Sequence, residues 1–513
     1  MSDVSPRTVA VPHSFRSITM ASGVRAAMAR APDKIAVTQG ERRRSYREFI
    51  ARVDRITDAT LALGLQPGQS AAIVARNCIE YLELACGVPE AGVALATVNP
   101  RYTTAEIESV CDDAQARLLF VDAASAPLVR AARFATVDRI IEIGAGFDSW
   151  LAAAPQDIAR PLVNEWDTWT IPYTSGTTGK PKGVLISHRS RALVALGSAM
   201  DYGCFSPDDR FLAMTPMNHG GGLAFPIASL LHGGSVDVME RFDPQAVLHK
   251  CMHEGITGVF MVPTHFHQIF ALPPEVLERY RSPPLKTIIS NAAPLSQAMK
   301  ERIVPYFGAD VLFEIYSSTE AGMVCSLRPR DQLRKLRCVG TPQAHTEVRI
   351  LDESDRECAA DEVGELFSRS PYLFHGYWNR PEETRAAFRD GWVSVGDLAK
   401  RDADGFVYIV DRKKDMVISG GINIYPREIE EVLALHPAVS DVAVIGVPDE
   451  QWGERLLAFV VPWPGRALAT QDMVEFCTGR LAGYKIPREL LAIDALPRNA
   501  NGKVLKIELR KLA

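Results

Sequence analysis

The sequence predicts an α/β protein with a large N-terminal region of covered sheets and a small α+β unit at its C-terminus. Three observations lead there. The chain has 513 residues, beyond the roughly 250–300 that one hydrophobic core serves. Helix-like and strand-like apolar segments alternate through the first ~400 residues, the pattern of sheets covered by helices. After the charged run Asp411-Arg-Lys-Lys-Asp415 the pattern tightens into a compact stretch. The boundary is therefore placed at that run, giving residues 1–411 and 412–513. The second span, about 100 residues, is of ordinary domain size.

Each element has a local cause. Ser45-Tyr-Arg-Glu48 reads as a capping box, opening a helix with Phe49, Ile50, Val53 and Ile56 on one face and ending near Gly64. Ala71–Val74 is a short apolar strand, and Phe406–Val410 is another. Pro426 begins a helix carrying Ile429, Val432 and Leu433 at helical spacing. Asp441–Val447 and Leu456–Val461 read as strands, and Gln471–Leu481 as a further helix.

Composition excludes several function classes. With 47% hydrophobic and 23% charged residues the chain is an ordinary globular one. A net charge of −5 lacks the concentrated basic face that nucleic acid requires. The densest basic run, Arg42–Arg44, sits beside Glu41 and reads as solvated surface. Nine cysteines lie scattered with no CxxC, which suits reduced thiols in a cytoplasmic protein. Met1–Phe15 lacks the apolar centre of a signal peptide. No apolar run approaches the ~20 residues of a transmembrane segment.

The segment with the most chemistry follows the apolar approach Thr170–Tyr173. It runs Thr174, Ser175, Gly176, Thr177, Thr178, Gly179, Lys180, Pro181, Lys182, Gly183. Glycines allow close backbone approach to a ligand. Backbone amides, hydroxyls and two lysines together suit a polyphosphate. Pro181 stands where a Walker A loop needs Ser or Thr, so this is a different phosphate loop. Gly144-Ala-Gly146 follows a strand-like stretch, but Ser149 at the third position argues against a dinucleotide fingerprint.

The loop resembles the phosphate loop of the adenylate-forming superfamily of acyl-CoA synthetases, adenylation domains and luciferases. The resemblance continues in order over roughly residues 20–510. Tyr316-Ser-Ser-Thr-Glu320 is similar to the second core motif, which implies adenine packing for Tyr316, phosphate contact for Thr319 and Mg2+ binding for Glu320. Asn291-Ala-Ala-Pro294 resembles the segment flanking adenine, implicating Ala293 and Pro294. Asp397 resembles the ribose-binding carboxylate and Arg412 the arginine near the domain junction, with Lys414 at the hinge position. Ser419, Gly420 and Gly421 resemble the loop lining the pantetheine tunnel. Lys503, in Pro497–Lys503, resembles the catalytic lysine of a C-terminal lid.

The resemblance implies an α/β, multi-subdomain N-terminal region with a mobile C-terminal lid domain. It also implies an ATP-dependent carboxylate:CoA ligase using ATP, Mg2+ and coenzyme A, with catalytic roles for Lys503, Glu320 and His219. His219 resembles the residue beside the acid carboxylate. With Asn291, Ala292, Ser317 and Ser318 it is expected to line the acid pocket. Asn218 stands where the family usually has an aromatic, and Gly220–Gly222 are expected to leave extra space. Leu223, Phe225, Val259–Val262 and Phe266 suit a hydrophobic acid but read better as core for the most part. A medium-chain fatty acid and an aromatic acid are equally supported. The expected partners are the acid, ATP and CoA, and a homodimer is compatible. Three rivals stay open: an enzyme loading a separate carrier protein, an inactive scaffold and a luciferase-like oxygenase.

Overall fold

A computed structural model describes residues 17–175, 181–498 and 504–513. Two mainly parallel sheets dominate the large region. The first has nine strands; neighbouring parallel members include Arg210–Ala213, Gly258–Met261, Thr287–Ser290 and Leu312–Ser318. The second has seven, with Ser70–Val74 at its centre between Ala94–Val98 and Ala116–Val121. All ten residues of Ser70–Val74 and Ala94–Val98 are buried, as expected for parallel strands covered on both faces.

Helix Ile79–Glu90 is buried on nearly every side. It packs on strand Ile35–Gln39 of the first sheet and on Ala94–Val98 and Thr168–Ser175 of the second. A mainly apolar helix suits such an interlayer position, and its buried Glu80 and Glu83 are paired with Arg42 and Arg52. Its neighbour, Tyr46–Ala62, starts at the expected capping box: Ser45 Oγ accepts from the Glu48 amide (3.2 Å) and Glu48 Oε2 from the Ser45 amide (2.7 Å). Phe49, Ile50, Val53 and Ile56 are all buried.

A third, antiparallel sheet of six strands includes Asp397–Arg401 paired with Val407–Arg412. The final sheet pairs the long strands Val439–Asp449 and Gly453–Pro462 and is flanked by helices Pro426–Leu433 and Thr470–Cys477. The second helix stops short of the expected Leu481. Thr478 is extended, with ψ 129°, and Gly479 has φ +79°. All nine cysteines are free and seven are buried. Among the described residues no helix is long and apolar enough to cross a membrane. Met1–Phe15 lie outside those residues.

Candidate active site

Three sheets send residues to one place. From the first sheet, strand Leu312–Ser318 ends in Tyr316, Ser317 and Ser318 and turns at Thr319 and Glu320 into the antiparallel strand Gly322–Leu327. The register slips between Tyr316 and Ser317, and such irregularities re-aim side chains. Strand Thr287–Ser290 leads into Asn291–Pro294. Asn291 Nδ2 donates to Ser317 Oγ at 2.5 Å. Ala292 has φ +74°, a left-handed conformation that costs a residue with a Cβ about 1–2 kcal/mol. Ala292, Ala293 and Pro294 are exposed.

The third sheet supplies a carboxylate and a guanidinium. Asp397 and Arg412 lie directly opposite on antiparallel strands, so the register itself makes their 3.1 Å ion pair. The other oxygen of the buried Asp397 accepts from the Tyr316 hydroxyl at 2.6 Å. Burial and the Asp397 charge push that hydroxyl far above its ordinary range, which keeps it a donor.

The second sheet supplies the phosphate-loop hairpin, with Thr174 opposite Lys182 in register. Lys182 Nζ lies 5.4 Å from the centroid of the Tyr377 ring. The Tyr377 hydroxyl donates to Glu320 Oε1 at 3.2 Å. Burial raises the Glu320 carboxyl above its usual value, opposed by Arg412 and Lys182. Ser318 Oγ accepts from the Ala321 amide at 2.8 Å, and Thr319 is half-buried.

His219 is the N-cap of helix Gly220–His232 without a side-chain capping bond. Its ring lies 3.4 Å from the Asn218 amide nitrogen. Burial and the nearby Arg101 charge push the imidazole down to about 4, so it is neutral at physiological pH. The glycines beside it correct the expectation of empty space. A Cβ on Gly221 would lie 2.7 Å from the Phe260 ring, and one on Gly222 would lie 2.0 Å from the Pro216 carbonyl oxygen. Only Gly220 faces an opening. Leu223, Phe225, Val259 and Phe266 are core residues.

Lys414 is exposed in the 3-10 turn Lys413–Asp415, just after the strand that ends in Arg412. Ser419 ends strand Val417–Ser419. Gly420 and Gly421 follow at φ +58° and +78° and form a two-residue hairpin to Ile422–Ile424, a turn that requires positive φ at both positions. Gly176, Thr177, Thr178, Gly179, Lys180 and Lys503 lie outside the described residues, and of Ser175 only the backbone strand is described.

Sequence reasoning missed Tyr377. It stands 57 residues from Glu320, in a loop stitched to both neighbours, and its spacing carries no signal. Also unforeseen is the ion pair of Lys300 with Glu314, two residues before Tyr316, both almost fully buried.

Comparison with known proteins adds independent findings. The family profile described as AMP-binding enzyme matches residues 24–378, and that of the AMP-binding enzyme C-terminal domain matches 428–503. A feruloyl-CoA synthase of Amycolatopsis sp is 35% identical over 488 residues, covering 94% of this chain and 96% of its own. A fatty acid–[acyl-carrier-protein] ligase of Streptomyces coeruleorubidus is 33% identical over 488 residues, 93% of each chain. The structure of ATP-bound MatB from Rhodopseudomonas palustris superposes with a TM-score of 0.88 at 30% identity, covering 97% of this chain and 99% of that one.

Proposed function

The chain belongs to the AMP-binding enzyme family, as an AMP-forming acid–thiol ligase, and from that premise we propose how its own residues carry the two half-reactions and which acids it takes. One juxtaposition carries the reading. Glu320 and Lys182 meet at Tyr377, beside an aromatic ring whose hydroxyl is bonded to Asp397.

In the first half-reaction a carboxylate oxygen of the acid attacks the α-phosphorus of ATP. An acyl–oxygen–phosphorus bond forms, the bond to pyrophosphate breaks, and acyl-AMP remains. Tyr316 offers its ring to adenine beside Ala293 and Pro294. Asp397, held by Arg412, accepts from the ribose hydroxyls. Thr174, Thr319 and Lys182 hold phosphate oxygens together with the loop 175–180, and Lys503 meets the charge that builds there. Fixed donors aimed at developing charge are worth roughly 10²–10³ in rate each.

Glu320 fits a magnesium ion. It is a hard oxygen ligand, half-buried, with one carboxylate oxygen engaged by the Tyr377 hydroxyl; Mg2+ takes one or two carboxylates and fills its remaining positions with phosphates and water. When bound, the ion supplies charge neutralisation on the phosphate oxygens. Neutral His219, Asn291, Ser317 and Ser318 surround the acid carboxylate. A neutral imidazole orients that anion without a full ion pair that would weaken its attack.

In the second half-reaction the thiol sulfur of CoA attacks the acyl carbon, AMP leaves, and the thiol proton passes to solvent. Residues 412–513 turn about Lys414, withdraw Lys503 and bring Ser419, Gly420 and Gly421 to the pantetheine arm. The acid is a fatty or an aromatic one, in keeping with the two relatives named above. The free cysteines suit a reducing cytoplasm.

The test is pyrophosphate release across a panel of fatty and aromatic acids, with and without CoA, products being identified by mass. Accumulation of one class of acyl-CoA is expected. The carrier-protein relative motivates a second reading, in which acyl-AMP forms and CoA is not acylated. Lys503→Ala should lose adenylation while keeping thioester formation from supplied acyl-AMP; equal loss of both removes Lys503 from its assigned role.

A further inference from the structure

Tyr377 touches two groups of opposite charge. Its hydroxyl end holds Glu320 and its ring face holds Lys182. The backbone around it is fixed on both flanks. The Trp378 amide donates to the Gly183 carbonyl (2.9 Å), next to Lys182, and Tyr377 bridges Val184. On the other flank the Phe374 amide donates to the Glu320 carbonyl (2.9 Å). The Tyr377 amide donates to Thr384 Oγ1 (2.9 Å), and its ring packs edge-on against Phe374 at 5.0 Å. One rigid loop therefore ties the glycine-rich hairpin to the Glu320 turn, with this ring at the junction.

A carboxylate and an ammonium in a half-buried pocket attract each other strongly. If they closed on one another, each would neutralise the other and neither would face a phosphate. We propose that Tyr377 is a positioning residue that prevents this collapse: its ring occupies the contact Lys182 would otherwise make with Glu320, and its hydroxyl engages one Glu320 oxygen and leaves the other toward the nucleotide. The inference rests on the adenylate-forming reading of the site. Cation–π attraction and a single hydroxyl bond are weaker than an ion pair, so both groups are held yet remain able to turn to an arriving triphosphate.

The experiment uses the full chain and three readouts: ATP binding by calorimetry without acid, steady-state pyrophosphate release, and thioester formation from supplied acyl-AMP. Tyr377→Phe removes only the hydroxyl. Its ATP affinity should fall and its KM for ATP should rise by about 10–100-fold, the usual effect of removing a partner that orients a ligating carboxylate. KM for the acid, the thioester step and the thermal midpoint should stay at wild-type values. Tyr377→Leu should be worse than Tyr377→Phe, and that extra loss should vanish when both carry Lys182→Met, because no ammonium then remains to close on Glu320.

Wild-type ATP binding and KM in Tyr377→Phe would overturn the proposal. So would a drop in thermal midpoint with equal loss of both half-reactions, or an extra Leu penalty that persists without Lys182. A wild-type chain that neither binds ATP nor releases pyrophosphate sinks the underlying reading instead, and the calorimetry on wild type tells the two failures apart.

Discussion

Gly220, Gly221 and Gly222 open one helix in three different surroundings, so alanine at each makes a graded experiment. An alanine Cβ at Gly220 meets nothing within 4 Å. The better helix propensity of alanine then acts alone and stabilises by up to about 1 kcal/mol. At Gly221 the new methyl lies 2.7 Å from two atoms of the Phe260 ring. That ring is 5% exposed and sits 5.1 Å from the Phe225 ring, leaving it little room to swing away. Overpacking of this kind costs about 1–3 kcal/mol, of which propensity offsets roughly 1, for a net loss of up to about 2 kcal/mol.

At Gly222 the methyl falls 2.0 Å from the Pro216 carbonyl oxygen, about 1 Å inside any contact real Cβ atoms make. Both partners are backbone, so the helix must move away from the loop that ends in His219. The cost should reach about 3 kcal/mol or more, and pyrophosphate release should fall with it. The assay is urea unfolding of the three variants followed by tryptophan fluorescence, with release rates measured in parallel. Gly222→Ala within about 1 kcal/mol of wild type, or Gly220→Ala as the worst of the three, would refute the packing argument. Gly220→Ala should match or exceed wild-type stability while shifting the preference among acids.

Three more predictions stand beside it. Lys300→Met leaves Glu314 buried without its cation and should cost about 3–5 kcal/mol. Glu314 Oε1 also accepts from the Leu295 amide at 3.3 Å, and a Gln oxygen can do the same, so adding Glu314→Gln should recover more than half; equal urea midpoints for wild type and Lys300→Met would contradict this. Burial holds His188, His219 and His265 near 3, 4 and 4, against 6.5 in the unfolded chain. The stability tied to their neutral forms is complete above pH 6.5 and drains away as pH falls toward 4 and below. Urea midpoints measured from pH 7 to 4 should therefore decline, and a flat profile would dismiss these histidines as buried neutral groups. Lys414→Pro fixes φ at the proposed hinge and should slow thioester formation more than adenylation; unchanged partition between the two steps removes the hinge.

Local elements were legible because their causes are local. The capping box at Ser45 and Glu48, the proline that opens the helix at Pro426 and the apolar run read as a strand over Asp441–Val447, within Val439–Asp449, all act within a few residues. Pairing was not legible. That Asp397 would face Arg412 and reach Tyr316 follows from a strand register and from two sheets meeting, neither written in any short string. Gly221 and Gly222 looked like room for a substrate because glycine has no side chain. The packed fold gives that room to the Phe260 ring and the Pro216 carbonyl. Tyr377 escaped notice for the same reason as the Lys300–Glu314 pair: each acts through a partner distant in sequence or on another element.

The meeting of three sheets at one spot has a thermodynamic consequence. Nucleotide bound between Tyr316, Asp397 and the Thr174–Lys182 hairpin would touch residues from all three at once. A ligand that binds only the folded chain stabilises it by RT ln(1 + [L]/Kd), about 2.7 kcal/mol at a hundredfold excess over Kd. Because the added stability draws on every layer of the large region, it should appear as one shared upward shift in melting and not as protection of a single segment. Simple thermal denaturation thus becomes a way to rank nucleotides and acids for this chain before any product is identified.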